Sequence, residues 1–298
     1  MAVIKVFDRG VAVGDILVID SSTNPKKLFL RASEYPITGN YTQKLNGVTR
    51  SFVAPYTTVG VVIHVDGRKV YVLNKTSGGE LQYKTENTAD GASNSTYLRK
   101  DGSIANYRGI LNTARGVTYW GSEGRTPSAN EPVPAATNSD PVNRTAFETS
   151  EYCKLLRQTY ASYESYIGDG MGVKFPQEYG CFGLSSGKVI TYQYNDSKHP
   201  GFQHCAAVDY GVDGIAAGDW YMPGVYEGTA LMRDAVLAKV NASMSKIGGA
   251  TVSNGSNRWF AQRGNDKSAW HFNGNYGNLF SSDCTYARVV QAVVLIIV

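Results

Sequence analysis

The stretch YTTVGVVIHVDGRKVYVLN, residues 56–74, carries the clearest fold signal in this sequence of 298 residues. Two runs rich in β-branched residues flank Asp66-Gly67. This dipeptide favours the positive φ angles of a type I′ turn, so we predict a β-hairpin here. Upstream, VAVGDILVID at 11–20 predicts another strand after a tight turn. Together these segments predict an all-β module over residues 1–75.

The composition indicates a β-rich globular protein. The chain contains 32 Gly and 20 Tyr, and it is 42% hydrophobic and only 18% charged, which argues against coiled-coil and disordered classes. At roughly 100–200 residues per domain, this length predicts two domains. The net charge of +4 comes from 29 basic and 25 acidic residues with no run of either sign, so we expect no nucleic-acid partner.

The two ends of the chain bear on its location. The first ten residues, MAVIKVFDRG, lack the apolar core of a signal peptide, so we expect no export by that route. The apolar run Val289–Val298 is interrupted by Gln291 and is far shorter than the roughly 20 residues of a membrane helix. It predicts a buried terminal strand and no membrane insertion. The cysteines form no CxxC pair and are predicted to be free thiols in a reducing cytosol: Cys153, Cys181, Cys205 and Cys284.

Residues 76–144 differ in composition from both flanks. Ser, Thr, Asn, Gly and Asp dominate, and four of the ten prolines fall at Pro127, Pro132, Pro134 and Pro141. Proline-rich sequence of this kind is extended and semi-rigid. We therefore predict an intermediate region that ends in a spacer.

Residues 145–298 are predicted to form an α+β domain, with two helices packed on a small antiparallel sheet. Thr145 and Glu148 have the spacing of a capping box and precede apolar residues at helical steps. A second helix is predicted from an apolar stripe between Val225 and Ile247, which stops at a Gly-Gly pair. Strands are predicted at KVITYQY, RWFAQRG, SAWHFN and ARVVQAVVLIIV, which begin at residues 188, 258, 268 and 287.

The order of motifs in this half resembles a known family. CAAVDY at 205–210, GDWYMPGVYE at 218–227, a helix ending in KIGG, then RWFAQ, SAWHFN and a closing strand with Ala287-Arg288 follow one another. This order is similar to that of the C-type-lectin-like domains of Bacteroides proteins and their phages. The resemblance covers residues 145–298 and implies a rigid scaffold that displays loops. It assigns structural roles to Cys205, Trp220, Pro223 and Glu227.

In related families the ligand-facing part corresponds to about residues 255–285 of this chain. The family's ligand residues are not carried over, because Met222 stands for its Leu and RWFAQ replaces its Trp-Ser-Ser-Thr-Glu strand. Aromatic faces with amide groups suit sugars and protein surfaces alike. An alternative stays open, in which Trp259 and Trp270 lie in the sheet core and only the Asn residues are exposed. The candidate ligand-binding residues are Arg258, Trp259, Gln262, Arg263, Asn265, Asp266, Trp270, His271, Asn273, Asn275, Tyr276 and Asn278.

The motifs give no support to catalysis, a metal or a cofactor. A calcium site needs several converging oxygens, and no Trp-Asn-Asp run accompanies Asn265-Asp266. His199, His204 and Cys205 lack the second ligand pair of a zinc site. We therefore expect a non-enzymatic protein with neither metal nor cofactor.

The preferred hypothesis is a bacteriophage structural protein, a head-fibre or tail-fibre subunit that displays a lectin-like domain. Its ligand would be a host-surface or environmental glycan or protein, and residues 1–75 would attach it to the capsid or another virion protein. We expect a homotrimer, because avidity multiplies weak single-site affinity. The chain would be made in the host cytoplasm and lie in the virion. The alternative is a bacterial surface adhesin or a secreted glycan-binding protein.

Overall fold

The fold is built mainly from strands. The computed structural model describes residues 8–22, 24–88, 96–98, 104–106, 144–149, 161–164, 188, 191–192, 194–224, 228, 231, 234–253, 255–263, 267–274 and 278–298. The strands within these residues are β1 (Asp8–Arg9), β2 (Ile16–Asp20), β3 (Lys27–Arg31), β4 (Tyr41–Leu45), β5 (Val48–Phe52), β6 (Thr57–Asp66), β7 (Lys69–Asn74), β8 (Gly79–Gln82), β9 (Thr96–Leu98), β10 (Ile104–Asn106), β11 (Arg258–Arg263), β12 (Ser268–Asn273), β13 (Asn278–Asp283), β14 (Ala287–Val290) and β15 (Val293–Ile297). The helices with defined ends there are α1 (Arg144–Thr149), α2 (Pro200–Ala206) and α3 (Asp234–Lys246).

The predicted hairpin at 56–74 is confirmed as the pair β6–β7. Asp66 lies opposite Lys69, so the two loop residues are Gly67 and Arg68. Gly67 has a φ of 57°, and Arg68 does not share the positive φ that a type I′ turn requires. Glycine at the first loop position is the pattern of a type II′ turn, so the predicted turn type is wrong although the hairpin is right.

The hairpin forms the centre of a five-stranded antiparallel sheet, sheet 1, with the order β15–β7–β6–β2–β3. The edge strand β15 comes from the other end of the chain. It pairs with β7 along its whole length, from Val293 opposite Leu73 to Ile297 opposite Lys69. Strand pairing thus crosses the boundary that we predicted between residues 1–75 and the later part of the chain.

A second five-stranded sheet, sheet 2, has the order β13–β12–β11–β14–β8. Its neighbours are antiparallel except for β11 and β14, which are parallel. Strand β8 belongs to the predicted intermediate region, yet it pairs with β14, with Leu81 opposite Arg288. The remaining described strands form the sheet β1–β4–β5 and the hairpin β9–β10.

Sheet 1 is buried on both faces, which explains its apolar sequences. Ile16, Leu17 and Val18 are consecutive on β2, and none of them has solvent exposure. Ile16 and Val18 belong to a core that includes Trp270 and the inner face of α3. Leu17 belongs to a second core, which includes Trp220. Strands covered on both faces are apolar at consecutive positions instead of alternating.

The predicted α+β class, with two helices on a small antiparallel sheet, is wrong: the described chain is mostly β, with short helices. The physical reason is that strands from both ends of the chain complete the large sheets. The predicted strand at 188–194 is also wrong, because Lys188, Thr191 and Tyr192 are helical. Thr145 lies within α1, where its carbonyl accepts the Thr149 hydroxyl, so it does not serve as the predicted N-cap.

The second predicted helix is confirmed at the residues that the structure describes, because Gly228 and Leu231 are helical and α3 follows them. Helix α3 begins at Asp234, nine positions after the predicted start at Val225, which lies outside the described residues. Its apolar stripe buries Val240 and Met244 and packs on β6. Gly248, with φ 63°, ends it in the left-handed conformation that glycine tolerates best. None of the helices in the described ranges combines the length and the hydropathy that a membrane span requires.

The apolar carboxy-terminal run forms strand structure, as predicted, but as two strands. Its first part belongs to β14 in sheet 2 and its last part is β15 in sheet 1. Gln291 and Ala292 lie between them and are buried. The polar residue that interrupts the run therefore marks the crossing from one sheet to the other.

Candidate ligand-facing surface

A row of aromatic side chains crosses one face of sheet 2. Trp259 on β11 lies opposite His271 on β12, and His271 lies opposite Phe280 on β13. The ring centroids are 5.5 Å apart for Trp259 and His271 and 5.9 Å apart for His271 and Phe280. On the other side, the Arg288 guanidinium lies 5.8 Å from the Trp259 ring and 5.3 Å from the Tyr286 ring. We call these five residues the aromatic row.

The ends of the aromatic row are exposed and its middle is buried. Phe280 is 43% exposed and Tyr286 is 54% exposed, whereas Trp259 and His271 are each 1% exposed. Arg288 is half-buried between Trp259 and Tyr286. Each exposed ring thus contacts a less exposed residue of the row, which is His271 for Phe280 and Arg288 for Tyr286.

His271 is fixed in its neutral form. Its Nδ1 donates to the carbonyl of Phe272 at 3.1 Å, and its Nε2 accepts from the Ser282 hydroxyl at 2.8 Å. Burial lowers the pKa of His271 to about 4, and the positive charge of Arg288 adds to this effect. His271 therefore supports the row as an uncharged ring.

The other buried candidates also have structural partners. The Trp259 Nε1 donates to the carbonyl of Leu81 at 3.0 Å, while Trp270 belongs to the core on the opposite face of the sheet. Arg258 donates to Gln291 at 2.9 Å, and burial lowers the pKa of Arg258 to about 10. For the two tryptophans, this placement corresponds to the alternative that sequence analysis left open.

Two of the remaining candidates lie together, because Asn273 at the end of β12 is paired with Asn278 at the start of β13. Asn273 is half-buried at the end of β12, next to Gly274, whose backbone N–H bonds to Asn257. Gln262 and Arg263 belong to β11, and Asn278 begins β13. The candidates that lie outside the described residues are Asn265, Asp266, Asn275 and Tyr276. For all of these residues a role in binding stays a prediction.

The residues assigned structural roles by the resemblance are buried wherever they are described. Trp220 has no exposure, and its Nε1 donates to the carbonyl of Ile215 at 3.0 Å. Pro223 is buried, and its carbonyl accepts the backbone N–H of Ala261 at 2.9 Å. Cys205 is a free, buried thiol whose pKa is raised by burial. Glu227 lies outside the described residues.

The histidines and cysteines form no metal centre in the part of the chain that the structure describes: no group of three or more His, Cys, Asp or Glu is placed to hold an ion. His199 instead contacts Asp196, with 2.8 Å between Nδ1 and the carboxylate oxygen. His204 is half-buried, which lowers its pKa. Cys284, like Cys205, is fully buried.

Sequence analysis missed the exposed members of the aromatic row. Phe280 lies in NLFSSD, which is not among the strands predicted from the sequence but forms the edge strand β13. Tyr286 and Arg288 stand two positions apart, the spacing that places residues on the same side of a strand. That spacing indicates that the two side chains lie on the same side. Whether the Tyr286 ring is exposed depends on the segments that pack over that part of the sheet.

Comparisons with known proteins add little to this geometry. No protein-family model matches the chain, and no curated protein matches it. Among solved structures, the chain is similar to a fimbrial protein from Bacteroides ovatus ATCC 8483, with 10% sequence identity and a TM-score of 0.32. The alignment covers 95% of this chain and 64% of that one. A TM-score this low does not establish a shared fold.

Proposed function

We propose that this chain is a non-enzymatic display protein that binds a glycan or protein through the exposed ends of the aromatic row. The observation that carries the proposal is the placement of Phe280 and Tyr286 at the two ends of one supported row. His271 contacts both Trp259 and Phe280, and the Arg288 guanidinium lies near the rings of Trp259 and Tyr286. No chemical step is required of these residues, only contact.

The energetics of binding favour this arrangement. Aromatic rings supply a large contact area, and they have few rotatable bonds to immobilise. Rings already packed against a rigid sheet lose still less freedom when a ligand arrives. Sugars present C–H faces that stack on such rings, and protein surfaces bury them in shallow pockets. Binding at this surface therefore needs little rearrangement of the sheet.

We further propose that the protein is a fibre subunit of a bacteriophage virion, on the head or the tail. The support for this is the sequence resemblance to motifs common in Bacteroides proteins and their phages. Attachment to the capsid or another virion protein would use the amino-terminal strands, where Val48 and Val53 are 47% and 59% exposed. A homotrimer would then present three copies of the weak site together. A bacterial surface adhesin would use the same aromatic row from a different location.

The binding site is tested by glycan-array and host-cell binding of purified full-length protein. Phe280→Ala and Tyr286→Ala are expected to weaken binding by about tenfold or more, as loss of an interface anchor does. Val53→Ala is the matched control. It removes an exposed apolar side chain that follows β5, outside sheet 2, and the variant should bind like wild type. All three variants should keep the wild-type melting temperature. Unchanged binding by both aromatic variants would refute the proposed surface.

The location is tested separately. Antibody labelling of purified particles, viewed by electron microscopy, should decorate the virion if the protein is a fibre subunit. Labelling of phage-free bacterial cells, with no signal on particles, would instead identify a bacterial adhesin.

A further inference from the structure

The two edge strands of sheet 1 border one cavity. In the strand order β15–β7–β6–β2–β3, strands β15 and β3 lie at opposite ends. Both nevertheless line the same cavity, which has a volume of about 550 Å³, through Leu28, Phe29 and Leu30 of β3 and Ile296 and Ile297 of β15. Consecutive residues of a strand point to opposite faces, so a cavity that all of them line reaches the edge of each strand. The sheet is therefore curved, and the cavity is a gap between its two edges.

The outer edge of β15 carries backbone groups that no described residue bonds. Val293 bonds Tyr221 on this side through both its N–H and its C=O, at 2.8 and 2.9 Å. Backbone direction alternates along an antiparallel strand, so the N–H and C=O of Leu295 and Ile297 also point away from β7. Among the described residues, nothing bonds the backbone groups of Leu295 and Ile297 on this side. The bridge to Tyr221 is antiparallel, so this edge already accepts one residue in that direction.

The outer edge of β3 is open in the same way. The Leu30 C=O accepts the side-chain amide of Gln43 at 2.7 Å, so it points away from β2. By the same alternation, the N–H of Leu30 and both backbone groups of Leu28 lie on this outer edge. No described residue bonds these three groups. Unpaired backbone donors and acceptors thus border the gap on both sides, and they contribute to a lining that is nearly as polar as it is apolar.

The directions of the strands determine what fits the gap. Every neighbouring pair in sheet 1 is antiparallel. In a sheet of five strands, β15 and β3 therefore run in the same direction, so they do not match each other as an antiparallel pair. One additional strand running the other way would be antiparallel to both and would close the sheet into a six-stranded barrel. Closure of a sheet satisfies the backbone groups of both edges at once.

We infer that an extended segment of a partner protein inserts between β3 and β15 as this additional strand. Strand addition takes its affinity from main-chain hydrogen bonds and its specificity from pockets for alternate side chains. A segment of about five residues spans the edge groups, at about 3.3 Å per residue. Leu17, Leu30 and Leu45 line the gap and belong to one apolar core, so the segment should carry aliphatic residues at alternate positions.

This site is separate from the aromatic row, because it lies on sheet 1 and the row lies on sheet 2. The inference goes beyond the proposed display function and does not depend on it. Its test needs neither a glycan nor the residues of the aromatic row.

The probe is a peptide of alternating Thr and Val with a Lys at each end, acetylated and amidated, titrated into the full-length protein by calorimetry. We expect one peptide per chain. The same peptide N-methylated at its Val residues should bind at least about tenfold more weakly, because it keeps the side chains but loses the backbone donors that face one edge. Equal binding of both peptides, or no binding of the unmodified peptide, would overturn the inference.

Amide hydrogen exchange locates the bound peptide. The N–H groups of Leu28, Leu30 and Ile297 should exchange at least about tenfold more slowly when the peptide is bound, because they gain acceptors. Phe29 and Ile296 are internal controls, since their N–H groups point into the sheet and already have partners there. Unchanged exchange at all three edge amides would place the peptide elsewhere and refute the site.

Two variants at one position separate the backbone from the side chain. Ile297→Pro removes an N–H from the outer edge, where proline is tolerated, and should weaken peptide binding by about tenfold. Ile297→Ala keeps the N–H and removes a side chain that is 60% exposed, so it should bind nearly as well as wild type. Wild-type affinity in Ile297→Pro would contradict the strand pairing. If this variant does not fold, the exchange measurement on the wild-type protein still decides.

Analytical ultracentrifugation tests the identity of the occupant. The peptide should leave the oligomeric state of the protein unchanged, because the segment that it mimics belongs to another protein. If the peptide dissociates an oligomer instead, a second copy of this chain occupies the gap, and the assignment to a partner protein is wrong.

Discussion

Gln291 accepts a hydrogen bond from the buried guanidinium of Arg258, with 2.9 Å between Oε1 and Nη1. The same side-chain amide donates to the carbonyl of Asn74 at 2.6 Å. Arg258 belongs to sheet 2 and Asn74 to sheet 1, so Gln291 links the two sheets at the point where the chain crosses between them. Arg258 and Gln291 are 6% and 3% exposed, and water does not replace these bonds easily.

Replacing Gln291 with Leu should destabilise the protein by about 1–3 kcal/mol, because it leaves the Arg258 guanidinium and the Asn74 carbonyl without this partner. In the Gln291→Leu variant, the further change Arg258→Met should lower the free energy of unfolding by less than it does in the wild-type protein, since it removes the charge that the first change left unpaired. Urea denaturation of the two single variants and the double variant measures the coupling. If the losses of the two single variants add up to the loss of the double variant, Arg258 and Gln291 are not coupled and the proposed link between the sheets is contradicted.

A second buried charge gives a matched pair of variants. Asp15 has no exposure and pairs with Arg9, with 2.5 Å between carboxylate and guanidinium. Arg9→Met should therefore lower the free energy of unfolding by about 3 kcal/mol, because it removes the cation that pairs with both buried Asp15 and Glu34. Asp15 keeps its bonds from the backbone N–H groups of Ala12 and Ser33. Lys44→Met removes a cation whose pair with Asp8 is exposed and should cost no more than about 1 kcal/mol. Equal losses in urea denaturation would show that burial does not set the cost.

The central hairpin has no room for a side chain at Gly60. A Cβ there would lie 2.1 Å from the carbonyl oxygen of Leu73 on β7, so the backbone would have to move. Gly60→Ala should therefore destabilise by about 1–3 kcal/mol or more. Gly255→Ala is the control, because its nearest neighbour would be 3.9 Å away, and it should stay within about 0.5 kcal/mol of wild type. Thermal or urea denaturation of both variants decides between these outcomes.

The burial of His271 makes stability depend on pH. Its pKa falls from 6.5 in the unfolded chain to about 4 in the folded protein, so the unfolded chain binds the proton first. Stability is complete above pH 6.5 and is lost as the pH falls towards 4, by an amount on the order of 3 kcal/mol.

In His271→Gln this part of the pH dependence should disappear. Burial also lowers the pKa of His204. Because His204 is present in both proteins, its contribution to the pH dependence of stability cancels in the comparison. Urea denaturation at several pH values between 4 and 7 gives the two curves, with the range set by the ordinary and lowered pKa of His271. Parallel curves would contradict the assigned cause.

Residues 145–298 should not fold by themselves. Their strand β15 needs β7, their strand β14 needs β8, and helix α3 packs on β6. Expressed alone, this fragment should lack a cooperative unfolding transition in circular dichroism. Co-expression with residues 1–88 should restore one, since that fragment carries all three partners. A cooperative transition in the isolated fragment would show that the boundary predicted from sequence is a true domain boundary.

The sequence by itself determined the elements whose signals are local. The turn residues Asp66-Gly67 predicted the hairpin at 56–74, and short apolar runs predicted β11 and β12. The Gly-Gly pair located the end of α3. These features depend on residues within a few positions of one another, so their physical cause is visible in the sequence.

Only the tertiary structure decided which strands pair and which faces remain exposed. The apolar run of β15 predicts burial, but nothing within it specifies β7 as its partner. Trp259 and Phe280 are both aromatic residues on strands of sheet 2; one is buried and the other exposed because of what packs against each strand. Strand pairing and the burial of each face depend on segments far apart in the chain, and this is why the strand order of the two large sheets and the exposed members of the aromatic row were not predicted.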